Sequence, residues 1–161
     1  MVAARPATGE VWRWLDEISD PEIPVLSIVD LGIVRDVQWH APSELTITIT
    51  PTYSGCPAVE VIASEIRRSM KEHGIERLRL ETRLSPPWTT DWMSEEARER
   101  LRAYGVAPPP RPIQINQSTV IECPHCGSDR VQVVSRFGST LCKALYKCLS
   151  CLEPFDVFKR H

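Results

Sequence analysis

The stretch CPHCGSDRVQVVSRFGSTLCKALYKCLSC, residues 123–151, decides how the C-terminal part of the chain folds. It opens on Cys123-Pro124-His125-Cys126 and closes on Cys148-Leu149-Ser150-Cys151. A Cys-x-x-Cys turn brings two sulfurs to one side of a tight loop whose amides point inward. Two such turns facing each other form a tetrahedral thiolate cage, which suits Zn²⁺. The residues between Cys126 and Cys148 suffice for a β-hairpin and little else. The pattern therefore predicts a zinc ribbon with Cys123, Cys126, Cys148 and Cys151 as metal ligands. Rubredoxin-type iron uses the same knuckles and is the competing metal. Four thiolates leave zinc no open position, so the site is expected to be structural. His125 reads as a solvent-facing spacer, and Lys143, Lys147 and Arg130 as cations that offset the charge of the cage. Gly127 follows the first knuckle and Leu152 the second.

The 161-residue chain has ordinary hydrophobic and charged fractions, 42% and 25%, and a net charge of −2. Nothing in that balance calls for a nucleic-acid or membrane-surface partner. No apolar run approaches the ~20 residues that span a bilayer, and the N-terminus lacks the apolar stretch of a signal peptide. The expected compartment is the cytoplasm, where paired cysteines are metal ligands before they are disulfides.

Outward from the knuckles, the chain reads as an α+β fold. Val11, Trp14, Leu15 and Ile18 lie on one helical face, with Thr8 as its cap; Asp20-Pro21-Glu22-Ile23-Pro24 stops that helix. Ser27 to Gly32 suits a single turn. Ile33 to Trp39 and the alternating Leu45, Ile47 and Ile49 predict two strands joined at His40–Ser43. A longer helix starts at Pro57 and closes at Gly74. Leu78, Leu80 and Leu84 alternate with charged residues as a third strand. Ser94 starts a third helix that stops at Gly105. The expected division is an α-β-β-α-β-α domain over 1–107, a stiff Pro-rich linker over 108–119, and the ribbon over 120–161. A unit of about 40 residues needs the metal as a staple, because metal-binding free energy serves there as folding free energy.

Two cysteines remain. Cys56, in Pro51-Thr52-Tyr53-Ser54-Gly55-Cys56-Pro57, is predicted to cap the second helix, where the helix dipole and free amides favour a thiolate. A purely structural cap would more usually be Ser, Thr, Asp or Asn. Cys142 reads either as a small buried residue or as a fifth thiolate near the cage, with Lys143 lowering its pKa. Asp20, Glu22 and Asp30 sit in Pro- or Gly-rich turns; they either cap those turns or lie near Cys56 and help hold a hard cation. Trp88-Thr89-Thr90-Asp91-Trp92-Met93 reads as cover for a sheet edge or as an exposed anchor for a partner. The sequence contains no phosphate loop, His-Asp-Ser set or zinc-hydrolase motif, so no catalytic residue is assigned.

The stretch from Asp20-Pro21-Glu22-Ile23-Pro24 through Asp30-Leu31-Gly32-Ile33-Val34, followed by Thr52-Tyr53-Ser54-Gly55-Cys56-Pro57, resembles the SufT-like domain of iron–sulfur assembly proteins. Trp88 to Met93, Phe137-Gly138-Ser139-Thr140, Cys142-Lys143-Ala144-Leu145-Tyr146 and Pro154-Phe155-Asp156 look like the PaaD family of the bacterial phenylacetyl-CoA epoxidase system. The resemblance covers nearly the whole chain. It implies a role in aerobic phenylacetate breakdown, where an oxygenase with a di-iron centre is fed by a reductase carrying flavin and a 2Fe–2S cluster. Members of the PaaD family help to mature that complex and do not turn over substrate. The expectation is that Cys56 transiently holds iron or an iron–sulfur cluster bound for the reductase or oxygenase subunit. Cys142 would be a second transfer thiol, with Asp20 and Glu22 assisting. A homodimer is compatible with this. A stable, non-catalytic structural subunit is the alternative, and an enzyme with Cys56 as nucleophile is disfavoured because no His lies at a recognisable distance.

Overall fold

The computed structural model describes residues 5–40, 43–110 and 120–160. The chain forms two compact units, Met1–Trp88 and Thr89–His161.

In the first unit, helix α1 spans Thr8–Asp16 and buries Val11 and Leu15. Thr8 is its first residue and not its cap. The cap is Ala7, whose amide donates to Glu10 Oε2 at 2.9 Å, so the glutamate supplies the acceptor. Strands β1 (Val34–His40) and β2 (Glu44–Ile49) pair antiparallel, and β3 (Arg77–Thr82) pairs parallel with β2, giving the order β1-β2-β3. A parallel pair needs a long crossover. Helix α2 (Ala58–Glu72) supplies it and buries Ile62, Ala63, Ile66 and Met70. Those side chains form one core with Leu45, Ile47 and Ile49, all nearly solvent-free. Gly74, at φ +78, turns the chain out of α2 in a conformation only glycine adopts cheaply. The third strand is shorter than its alternation suggests: it ends at Thr82, and Leu84 stands outside it, 59% exposed. Arg83 instead donates its amide to the carbonyl of Ile49.

The second unit holds helix α3 (Glu95–Ala103) and strands β4 (Val106–Ala107), β5 (Val131–Ser135), β6 (Lys143–Cys148) and β7 (Pro154–Phe158), in the sheet order β4-β7-β6-β5. Ser94 caps α3 as its position predicts, its Oγ accepting from the amide of Ala97 at 3.1 Å. The third helix thus falls in the compact unit of the ribbon, not in the domain of the first two. The reason is β4, which follows α3 directly and pairs parallel with β7, Val106 beside Asp156 and Ala107 beside Val157. Pro108–Pro110, read as the start of a linker, is tied to this unit by Arg98, which donates to the carbonyls of Pro109 and Thr90 at 2.7 and 3.0 Å. The rest of the expected linker, 111–119, lies outside the described residues. Ala107, Cys123, Cys148, Phe155 and Val157 make the buried cluster, with Ile121, Val131 and Tyr146 against it. Among the described residues, no helix is long and apolar enough to cross a membrane.

Candidate metal centre and cysteine sites

Two hairpin turns place the four knuckle cysteines. In the first, the amide of Cys123 donates to the carbonyl of Ser128 and that of Gly127 to Cys123; in the second, Cys148 donates to Glu153. The Oγ atoms of Ser128 and Ser150 meet at 2.9 Å and tie the turns together, a link no sequence signal announces. The four Sγ atoms lie within 4.8 Å of one another. Cys123 and Cys151 are 3.7 Å apart at sulfur, and Cys126 and Cys148 3.6 Å. A disulfide would need about 2.05 Å. Four thiolates around one zinc at about 2.3 Å stand about 3.8 Å apart at the corners of a tetrahedron, which these sulfurs fit. His125 is exposed and sets its ring edge-on to Phe155, 6.5 Å between centroids, so it is not a fifth ligand.

The amides of the second knuckle bias its protonation. The backbone N–H of Cys151, then that of Ser150, point at Cys148 Sγ from 3.4 and 3.3 Å and hold its thiol down at about 6. The amide of Glu153 works against protonation of Cys151, but burial and the neighbouring sulfurs of Cys148, Cys126 and Cys123 outweigh it and push Cys151 up to about 12. Cys126 is raised too, its favourable amide from Ser128 outweighed by burial and by Cys148 and Cys123. Backbone dipoles, not the lysines, therefore support the first thiolate. Lys143 in particular serves elsewhere. Its Nζ donates to Ser139 Oγ at 3.0 Å and lies 4.0 Å from Asp156 Oδ2, while Ser139 donates to the same oxygen at 2.8 Å.

The residue after each knuckle turns left-handed: Gly127 at φ +73 and Leu152 at φ +68. For leucine that conformation costs about 1–2 kcal/mol, and Leu152 is 64% exposed, so its side chain returns little by burial. Leu152→Gly is expected to raise the unfolding temperature of the metal-loaded protein by a few degrees. A thermal melt checks this, and a lowered temperature would show that Leu152 makes a contact the exposure conceals.

Cys56 belongs to the first unit, where two loops meet at the C-terminal end of β2. Thr50 donates its amide to Ile33 at 2.8 Å, which seats the Leu31-Gly32-Ile33 turn beside the loop that carries Cys56. Trp88 closes the same corner: it is 4% exposed, and its Nε1 donates to the carbonyl of Leu31 at 2.8 Å. At that exposure it is not an exposed anchor. Cys56 itself is 9% exposed, with Thr52 Oγ1 at 4.0 Å from its sulfur. Pro57, at φ −66 and ψ −23, is already helical, and Cys56 directly precedes it with its carbonyl accepting the amide of Val59; no side chain caps this helix start. Gly55, at φ +84, has open space where a Cβ would stand.

The carboxylates fall into defined turns. Asp20, 6% exposed, accepts the amides of Glu22 and Ile23 at 2.8 and 2.9 Å, fixing the bend at Pro21. Asp30 and Ser27 cap each other reciprocally, each amide donating to the other's side chain at 2.9 Å, and Ser27 Oγ donates to Asp16. These bonds match the turn-capping reading. Glu22 is half-buried in the same bend.

Cys142 is not beside the cage. It precedes β6 and Cys148 ends it, so at about 3.3 Å per residue the strand separates them by roughly 20 Å. It is 3% exposed, its sulfur 3.0 Å from Thr140 Oγ1, and its carbonyl accepts the amide of Lys159. The Ser139–Lys143–Asp156 cluster beside it escaped the sequence reading, because its members are spread over 18 residues and join only when β6 pairs with β7.

Comparison with known proteins follows the same two-part division. The family described as PaaD zinc beta ribbon domain matches residues 107–159, and the family described as iron–sulfur cluster assembly protein matches residues 9–75. A protein of Escherichia coli (strain K12), named as the D component of a 1,2-phenylacetyl-CoA epoxidase, is 48% identical over 157 residues, covering 97% of this chain and 94% of that one. An Fe–S protein maturation auxiliary factor of Porphyromonas gingivalis (strain ATCC BAA-308 / W83) is 35% identical over 93 residues, covering 57% of this chain and 88% of its own. Among solved structures, a domain of unknown function, DUF59, from Bacillus anthracis superposes with a TM-score of 0.54 at 28% identity, covering 58% of this chain and 89% of that one.

Proposed function

This chain belongs to the PaaD family of phenylacetyl-CoA epoxidase components, and from that premise we propose that it is a non-catalytic maturation factor of the epoxidase system. In this reading it helps to insert iron or an iron–sulfur cluster into the reductase or oxygenase subunit. The observation that carries the reading is the place of Cys56, the sole cysteine of the first unit, in the part of the chain that matches iron–sulfur assembly proteins. The neighbouring loop is tied down by Trp88 at Leu31 and by the amide of Thr50 at Ile33. The cargo is iron in ionic or cluster form, and a thiolate is the ligand chemistry it requires. Gly55, directly before it, has open space where a Cβ would stand, which leaves room for a close approach beside Cys56.

The four-cysteine cage serves a different end. Its tetrahedral spacing suits zinc as a closed structural ion that folds the second unit. Cys142, buried and bonded to Thr140, contributes packing here and not transfer.

The test is Cys56→Ala made alongside the other epoxidase subunits. Their iron and cluster content and their epoxidation activity should fall several-fold, with this chain still folded and its zinc retained. Full metal loading and full epoxidation would sink the proposal. The low exposure of Cys56, 9%, favours a second reading in which the chain is a stable structural subunit. Co-purification in fixed stoichiometry, with Cys56→Ala silent, would establish that one instead.

A further inference from the structure

The end of the β5–β6 hairpin remote from the cage carries an unusual combination. Phe137 and Leu141, both large and apolar, are 62% and 56% exposed. A mobile loop would fold such side chains away or let them move. Here the loop is fixed from beneath by buried polar groups. Lys143, only 5% exposed, holds Ser139 at 3.0 Å and faces Asp156, and Ser139 donates to Asp156. Gly138 donates its amide to the carbonyl of Lys143 at 2.8 Å, and a Cβ on Gly138 would stand 2.5 Å from Asp156 Oδ1, so no other residue fits without displacement. Phe137 donates its amide to Ser135 Oγ, and Thr140 meets Cys142 at 3.0 Å. Burying a charged pair is a poor route to stability when apolar residues of similar volume would serve. It is a good route to one fixed loop shape.

The charge around the two apolar side chains is one-sided. Arg136 directly precedes Phe137, Lys159 Nζ lies 4.5 Å above the ring of Phe137, and Arg160 follows Lys159. Among the described residues of the hairpin end the carboxylate is that of Asp156, and it is engaged by Ser139 and Lys143. A preorganised aromatic anchor inside a cationic rim is the complement of an apolar pocket edged with carboxylates.

We infer that this hairpin end, with Phe137 and Leu141 as anchors and Arg136, Lys159 and Arg160 as rim, docks onto an acidic-edged apolar pocket of another epoxidase subunit. The inference rests on the reading that this chain works within the epoxidase system. The cationic rim speeds and orients the encounter, and the anchors hold the complex. The ribbon would thereby bring the chain to its recipient, and the metal cage would only hold its shape.

The experiment measures binding of the full chain to each of the other purified subunits by titration calorimetry, at low and high salt. Phe137→Ser with Leu141→Ser should weaken binding by about tenfold or more, as expected for a desolvated aromatic anchor. Arg136→Glu with Arg160→Glu should weaken it chiefly at low salt. Zinc content and circular dichroism, unchanged in these exposed-site variants, separate lost docking from lost folding. Leu84→Ser, at an equally exposed leucine of the first unit, should leave affinity unchanged. Equal affinity of the anchor variant and wild type overturns the inference, as does tighter binding after charge reversal. So does wild type binding no subunit, self-association that the anchor variant abolishes, or duplex nucleic acid captured in place of a subunit. Cys56→Ala keeps the two proposals apart: it should bind as wild type does while delivering no metal. Normal delivery by Cys56→Ala, with binding lost in the anchor variant, would refute the transfer role and leave the docking surface standing.

Discussion

Stripping the metal from the four-cysteine cage, or replacing Cys148 with serine, is expected to unfold the β4-β7-β6-β5 sheet and leave β1-β2-β3 with α1 and α2 folded. The buried cluster of the second unit counts Cys123 and Cys148 among its own members, beside Ala107, Phe155 and Val157. Apolar burial on that scale cannot offset ordering about 40 residues, at roughly 1.5 kcal/mol each, without further help. Structural zinc supplies about 10–16 kcal/mol in peptides of ribbon size, which is more than the whole stability of most small domains. The loss should extend to β4, which among the described residues pairs with β7 alone. Hydrogen exchange with and without chelator checks it: residues 131–158 should lose protection while 34–82 keep theirs. One cooperative loss across both units, or none, would refute it. Cys126→Ser should be milder than Cys148→Ser, since Cys126 is exposed and Cys148 has no solvent-accessible surface.

Acid should act through the same sulfurs. Cys148 is held at about 6, below its ordinary value of 9.0, so its contribution is present above the unfolded value and lost as pH falls through about 6. Cys151, pushed up to about 12, and Cys126, also raised, carry protons at neutral pH that the metal must displace. Metal binding at neutral pH should therefore release protons, read as a buffer-dependent enthalpy, and the affinity for metal should fall as pH is lowered.

Asp20→Ala should destabilise the first unit by about 1–2 kcal/mol, because the amides of Glu22 and Ile23 lose a shared carboxylate acceptor that is itself only 6% exposed, while Ile23 keeps the carbonyl of Asp20. The bend at Pro21 positions Ile23 and Leu26, which are buried in the core, and leads into the Ser27–Asp30 turn beside the Cys56 loop. Loss of delivery should follow from loss of shape. Asp20→Asn separates that from a ligand role, since an amide oxygen can still accept both bonds but is a far poorer partner for iron. Recovery of most of the stability and delivery by Asn, measured by chemical denaturation and by the iron content of the recipient, marks Asp20 as a turn cap. Recovery of stability alone would make it part of the cargo site.

Local patterns carried much of this architecture. The knuckle spacing announced the ribbon, because a tetrahedral thiolate cage demands paired turns wherever it occurs. The period of Ile62, Ile66 and Met70 announced α2, and the alternation of Leu45, Ile47 and Ile49 announced β2, because each pattern lays its apolar residues on one face. The misplaced details were those decided by distant partners. Leu84 continues the alternation of β3, yet pairing with β2 stops at Thr82 opposite Ile49. The residues around Trp88 left edge cover and exposed anchor open, and the carbonyl of Leu31, 57 positions away, removed the second by taking its indole N–H in a buried place.

By itself the sequence determined the two-part composition, the four-cysteine cage, the crossover helix and the isolation of Cys56. All of these follow from residue types at short, fixed spacing. The tertiary structure alone decided that α3 joins the ribbon's unit, since a two-residue strand carries no periodicity and is defined only by its bonds to β7. It alone moved Cys142 a strand's length from the cage. It alone gathered Ser139, Lys143 and Asp156 beneath Phe137, because strand pairing, not sequence neighbourhood, sets which side chains share a face.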